Sequence, residues 1–222
     1  MIHSHPLISM IIVAIAVRPL VIMLHELGHV IMARRFARQH IVIYLGSYGN
    51  QESSAKVNIG WLTVWFTSNP FLWQKGLCVP SVPITNANRR ISYFLAGPLL
   101  PVAISAIVAE AAVVFHFDEF NRFFAFVFCG TSVLDMIINL IPYRNPVATY
   151  NNEPVFTDGY SLRLAFLQKK YPLEFFTAIS QYSKFQYKDA ARNFEKALRR
   201  MPGNKIIQRN LEACRDIKHI DT

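Results

Sequence analysis

Residues 7–33, LISMIIVAIAVRPLVIMLHELGHVIMA, form a run of 27 mostly apolar positions. As a helix this run extends about 40 Å, enough to cross the hydrocarbon core of a bilayer with some tilt. It is too long and too interrupted for a cleaved leader, and no small-residue cleavage site follows it. Pro19 should kink it. Residues 91–115 (ISYFLAGPLLPVAISAIVAEAAVVF) and 123–142 (FFAFVFCGTSVLDMIINLIP) have the same character. Charged residues make up 17% of the 222 and hydrophobic residues 52%, whereas an average soluble domain is roughly 25% charged. That balance excludes a disordered chain. The bunching of the apolar residues argues against an ordinary soluble domain. The expected fold is a mainly α membrane protein with three transmembrane helices, a small β-hairpin or sheet insertion and a helical C-terminal segment.

The formal net charge is +9, which raises the question of nucleic acid or an anionic membrane surface as partner. Its distribution answers with topology. Residues 34–90 carry Arg34, Arg35, Arg38, Lys56, Lys75, Arg89 and Arg90 against Glu52 alone, and residues 143–222 hold 14 basic and 8 acidic side chains. The link 116–122 has Asp118 and Glu119 against Arg122. By the positive-inside rule the 34–90 loop and the C-terminal region are cytoplasmic, and the N-terminus and the 116–122 link lie outside. No nucleic-acid role is expected. The three cysteines, Cys78, Cys129 and Cys214, have no CxxC spacing, so neither a disulfide framework nor a cysteine zinc site is expected.

Within the first cytoplasmic loop, His40–Tyr48 and Val57–Phe66 are rich in β-branched and aromatic residues, and a Gly49–Ser54 turn separates them. They read as a hairpin or as two sheet strands. Trp61, Trp65, Phe66, Phe71 and Trp73 make this loop unusually apolar and suit either the membrane interface or a small packed core. Residues 143–160 are polar and turn-rich, hence a loop. From about Tyr171 the chain reads as soluble helices. Tyr187, Ala190, Phe194, Ala197 and Pro202 resemble the second half of a tetratricopeptide repeat, with Phe185 where the turn glycine usually stands. The expected domains are a transmembrane domain, 1–170, and a cytoplasmic tetratricopeptide-like tail, 171–222.

The chemistry lies in His25-Glu26-Leu27-Gly28-His29, an HExxH motif in a helical context. The i, i+4 spacing places two imidazoles on one helical face, where both reach one zinc ion. Glu26 beside them can take a proton from an attacking water and return it to the leaving amine. Two histidines and a glutamate in the apolar part of a spanning helix are costly unless they are coordinated, paired or near water.

Depth along the helices gives a second reason. Counted from the cytoplasmic ends of the three spans, His29 and His25 lie about 6 and 12 Å inside. Gly97 and Pro98 lie about 9–10 Å deep, Asn139 about 5 Å and Asp135 about 10 Å. Polar or helix-perturbing features on three spans thus converge on one level. A catalytic zinc site takes three protein ligands and leaves a fourth position open. The candidates for the third ligand are Asp135, which has the right depth, and Asp158, whose neighbour Gly159 would let a loop fold back to the metal; Glu110 is a weaker third. At the outer side, Arg18 and Glu110 have similar depth and are expected to pair, directly or through water.

A cytoplasm-facing HELGH in the first span, an AGP in the second, and NLIP followed by a loop ending in Asp-Gly together resemble the site-2 protease family of intramembrane zinc metalloproteases. The resemblance covers residues 7–165. It implies His25, His29 and Asp158 as ligands of one Zn2+, Glu26 as the catalytic acid and base, and Asn139 as a site-lining residue beside Gly97 and Pro98. It also implies that the β-element at 40–66 presents an extended substrate, and that the chain acts in regulated intramembrane proteolysis in a bacterial-type cytoplasmic membrane. The implied partners are a membrane-protein substrate and the lipid bilayer. The tail would serve a protein partner or self-association. The rival readings are a non-proteolytic metal-binding membrane scaffold acting through that tail, and a metal-ion transporter. His3, His5, His40, His116 and His219 have no ligand spacing with another histidine.

Overall fold

The computed structural model describes residues 6–36, 38–69, 73–143, 147–149 and 154–218. His3, His5, Phe71, His219 and part of the 143–160 loop lie outside the described residues. The chain divides into two compact units, Met1–Arg163 and Leu164–Thr222. It is mostly helical, at 66%.

Three long apolar helices dominate the first unit: α1 (Pro6–Phe36), α2 (Ala87–Val114) and α3 (Glu119–Leu140). Each is long and apolar enough to cross a membrane. In their most apolar windows only 22%, 28% and 22% of the residues are buried within the protein. A soluble three-helix core would bury far more of such surface, so the outward apolar faces are compatible with a lipid surround. The helix α1 continues through Pro19 without a break. The α2–α3 connection is a tight turn. Phe117 N–H bonds to Ala112 O at 3.1 Å and His116 N–H to Val113 O at 3.2 Å, with His116 at φ +50°. That is the Schellman pattern that ends a helix. Asp118 then caps α3 by accepting from Asn121 N–H at 3.0 Å.

The helices approach closely where α1 crosses α2. A Cβ on Gly28 would overlap the Ala96 carbonyl, and one on Gly97 would overlap the His29 ring. Small residues at a crossing let two backbones meet, so the glycines of HELGH and AGP are explained by one contact. Val17, Val21 and Leu24 of α1 pack with Phe128 of α3, and Ile104 of α2 lies against them.

The insertion between α1 and α2 is a four-stranded sheet of order β2-β3-β1-β4, made of β1 (Ile41–Leu45), β2 (Ser54–Ile59), β3 (Leu62–Thr67) and β4 (Gly76–Pro80). A small sheet insertion is as expected, but it holds four strands where the sequence marked a hairpin or two strands. The segment read as one strand, Val57–Phe66, turns back on itself at Gly60, whose φ of +59° suits the first central position of a two-residue hairpin. Strands β1 and β3 are therefore parallel, with Ile43 opposite Val64. The fourth strand, β4, pairs antiparallel with β1. It is short and carries glycine and proline at its ends, so it left no strand signal in the sequence. Ile41, Ile43 and Leu45 pack with Ile22, Val30 and Ala33 of α1 and Tyr93 of α2. A further pair, β5 (Val147–Ala148) and β6 (Pro154–Val155), forms a two-stranded ladder in the loop after α3.

Arg18 and Glu110 form no direct ion pair among the described residues. Arg18 Nη1 instead lies 2.8 Å from Asp135 Oδ1. Equal depth was not sufficient, because Glu110 sits on the exposed face of α2. Asp135 sits on the buried stripe of α3 with Ala125, Phe128 and Ser132.

The chain leaves the first unit through α4 (Asp158–Lys170), followed by α5 (Leu173–Ser183), α6 (Tyr187–Arg200) and α7 (Lys205–Lys218). The second unit has its own core, in which Ala190, Phe194 and Ala197 of α6 meet Ala178 of α5 and Ile207, Leu211 and Cys214 of α7. Phe185 ends α5 in the left-handed conformation, φ +62°. Gln186 N–H bonds to Gln181 O at 2.9 Å and Phe185 N–H to Tyr182 O at 3.0 Å, a Schellman motif whose usual glycine is a phenylalanine. A left-handed L-residue costs roughly 1–2 kcal/mol, and Phe185 is 77% exposed, so little packing offsets it. Phe185→Gly should therefore raise the stability of this unit by up to ~1 kcal/mol, visible as a higher midpoint in thermal unfolding. A lower midpoint would show that the exposed ring supplies stabilising contacts.

Candidate metal centre

The two histidines of α1 face inward and are almost fully buried, each 5% exposed. Every ring nitrogen has a partner. His29 Nδ1 lies 2.8 Å from the Tyr93 carbonyl of α2, and His25 Nδ1 lies 3.2 Å from Asp135 Oδ2 of α3. A main-chain carbonyl and a carboxylate only accept hydrogen bonds, which assigns the Nδ1 proton in both rings. Both Nε2 atoms of the neutral rings are then bare, and they lie 3.3 Å apart.

Asp158 completes a triangle. Its Oδ2 lies 2.9 Å from His25 Nε2 and 3.3 Å from His29 Nε2. Tetrahedral ligands at zinc bond lengths of ~2.0–2.1 Å stand about 3.3 Å apart, so the donor triangle has the size that zinc requires. Two imidazole nitrogens and one carboxylate oxygen also form a suitable donor set for zinc. Burial pushes the Asp158 carboxyl up, and the facing His29 and His25 rings, where they carry a proton on Nε2 in place of a metal, pull it below the usual carboxylate range. An ionised carboxylate is the form a metal ligand requires.

Asp158 reaches the histidines from the first turn of α4. Thr157 Oγ1 donates to the Ile141 carbonyl at 3.0 Å and accepts from Tyr160 N–H at 3.3 Å. It thereby caps α4 and ties it to the end of α3. The long loop after Pro142 so returns to its point of departure. Gly159 is helical, and its role is space rather than flexibility: a Cβ there would overlap the Leu140 carbonyl.

Asp135, the other candidate ligand, meets Nδ1 of His25 rather than Nε2 and lies behind the ring, outside the donor triangle. The weaker candidate, Glu110, is exposed and outside it as well. Glu26 is 5% exposed and lies against β4, where a Cβ on Gly76 would overlap its carboxylate. A cavity of about 350 Å³ opens over the centre, with Glu26, His25, His29 and Asp158 in its wall. Asn139 lines it. Gly97 and Pro98 are not among its lining residues: Gly97 backs the His29 ring and Pro98 is buried in the helix packing.

Several residues of the site escaped the sequence reading. Tyr48, Lys75 and Cys78 line the cavity, and their only signal was proximity to the strands. Burial, and then the Glu26 charge, push the Cys78 thiol far up. The Tyr93 carbonyl carried no signal, because any residue supplies a main-chain acceptor.

No protein-family model, curated protein or solved structure matches the chain. The centre is therefore judged on its geometry. That geometry predicts one Zn2+ per chain in purified protein, lost on Asp158→Ala or His29→Ala and retained on Glu110→Gln. Metal content by mass spectrometry checks this, and a full zinc complement in Asp158→Ala would remove Asp158 from the ligand set.

Proposed function

We propose that the chain is an intramembrane zinc metalloendopeptidase of the site-2 protease type. It cleaves transmembrane or juxtamembrane protein segments near the cytoplasmic face. The observation that carries this reading is the donor triangle of His25, His29 and Asp158 with Glu26 beside it, in a cavity enclosed by three apolar helices and a sheet edge. In the proposed orientation the N-terminus is outside, and the sheet and the C-terminal unit are cytoplasmic.

The metal, when bound, supplies Lewis acidity and lowers the pKa of water toward neutrality. The rest of the chemistry belongs to the chain. Glu26 accepts the proton of the attacking water and returns it to the leaving amine as the peptide bond breaks. Its burial against β4 keeps it beside the scissile carbonyl. The backbone of a helical substrate is already hydrogen-bonded internally, so the segment must unwind before attack. Strand β4 ends the sheet order, and its edge away from β1 has no strand partner among the described residues. Gly76, Leu77 and Cys78 of that strand line the cavity. An extended substrate can add there as a further strand, which places its backbone next to Glu26. The amide of Asn139 donates to the Asp135 carbonyl at 3.0 Å, which fixes the side chain at the cavity wall. The C-terminal helices are read as a tetratricopeptide-like module for a protein partner or a second copy.

Glu26→Gln keeps the side chain's size and removes the base. Cleavage of a model membrane substrate in detergent or proteoliposomes should fall at least ~10²-fold, with zinc still bound. Undiminished cleavage by the purified variant would remove Glu26 as the base, and a wild-type chain that binds zinc but cleaves nothing would leave a metal-binding scaffold as the reading.

A further inference from the structure

Asp135 is the most deeply buried carboxylate of the described chain, at 0% exposure, and it lies within an apolar helix. A charge in that position is costly and calls for a physical reason. It is not in the donor triangle, and the proposed hydrolysis does not use it. Its two oxygens have separate partners on α1: Oδ2 faces His25 Nδ1 at 3.2 Å and Oδ1 faces Arg18 Nη1 at 2.8 Å. The Arg18 contact is an ion pair without hydrogen-bond alignment, since Oδ1 has no hydrogen-bond partner. The polar neighbours on α3 do not compete for the carboxylate. Ser132 donates to the Phe128 carbonyl, and Asn139 to the main-chain carbonyl of Asp135 itself.

We propose that Asp135 is a positioning residue for His25 and that Arg18 holds it in that role. The inference rests on the metal reading of the site. Each ligand histidine has its Nδ1 proton taken by a different helix. For His29 the acceptor is the main-chain carbonyl of Tyr93 on α2, and for His25 it is the Asp135 carboxylate on α3. The carboxylate fixes the ring rotation and the tautomer, so Nε2 presents its lone pair to the metal position, and it makes that nitrogen more basic. Arg18 stands seven residues before His25, two turns along one face of α1. One helix therefore carries both the ligand and the counter-charge of the group that orients it. Arg18 keeps 29% of its side chain exposed, toward the cavity, while Asp135 is sealed.

The competing explanation is a structural ion pair that merely ties α1 to α3. Two double variants of the full chain separate the alternatives: Arg18→Met with Asp135→Leu, and Arg18→Met with Asp135→Asn. Both abolish the ion pair and leave no buried charge unpaired, which a single substitution would do. They differ at one position, where asparagine offers His25 Nδ1 an acceptor oxygen and leucine offers none. Zn2+ affinity is measured on detergent-purified protein by competition with a chromophoric chelator. Positioning predicts that the leucine variant binds Zn2+ ~10–100-fold more weakly than the asparagine variant, and that asparagine rescues most of the wild-type affinity. Equal affinities in the two variants would overturn the proposal while leaving the metal centre intact. A wild-type chain that binds no Zn2+ would refute the metal reading itself, and the positioning role with it.

Discussion

The His25 ring is held at Nδ1 by Asp135 of α3, and its Nε2 faces Asp158 at the start of α4. Much of the first unit can be understood as what is needed to keep these two contacts inside apolar surroundings. An imidazole and two carboxylates away from bulk water are tolerated only when each finds a partner. Asp135 finds Arg18 as well as His25. Asp158 finds both histidines. His29 finds the Tyr93 carbonyl. The polar groups of four helices form one connected network, and a shift of any helix would leave a buried member unpaired.

Close approach makes that network reachable. Gly28 brings α1 onto the α2 backbone at Ala96, and Gly97 leaves room for the His29 ring. Gly159 brings α4 against the end of α3, where Thr157 ties down the returning loop. The sheet closes the remaining side, and the Tyr93 hydroxyl donates to the Cys78 carbonyl of β4 at 3.0 Å. Tyr93 thus anchors β4 with its side chain and orients His29 with its main chain. A tyrosine in the second span contributes to both the proposed ligand geometry and the proposed substrate edge.

The three apolar helices were legible in the sequence because length and hydropathy alone mark them. So were the two histidines and the glutamate, because the i, i+4 spacing fixes their common face. The third donor was not decided by reasoning from the residues, since Asp135 had the right depth and Asp158 the right kind of neighbour. The structure gives them different places, one in the donor triangle and one behind His25. Depth counts position along a helix but not direction around it, and that omission also produced the mistaken Arg18–Glu110 pairing. The sheet was only partly legible. A glycine in the middle of VNIGWLTVWF marked a turn that strand propensity concealed, and β4 is too short to carry an alternation signal. The left-handed Phe185 at the end of α5 matches the place where the repeat pattern wants glycine, so that departure was visible in the sequence and its conformational consequence was not.

The centre itself is tested most directly by zinc K-edge X-ray absorption on the purified full chain. Ligation by His25, His29 and Asp158 predicts a first shell of nitrogen and oxygen only, at ~2.0–2.1 Å, with the outer-shell scattering of two imidazoles. A sulfur shell at ~2.3 Å would place Cys78 on the metal. That result, or a first shell without imidazole, would contradict the donor triangle on which the functional reading depends.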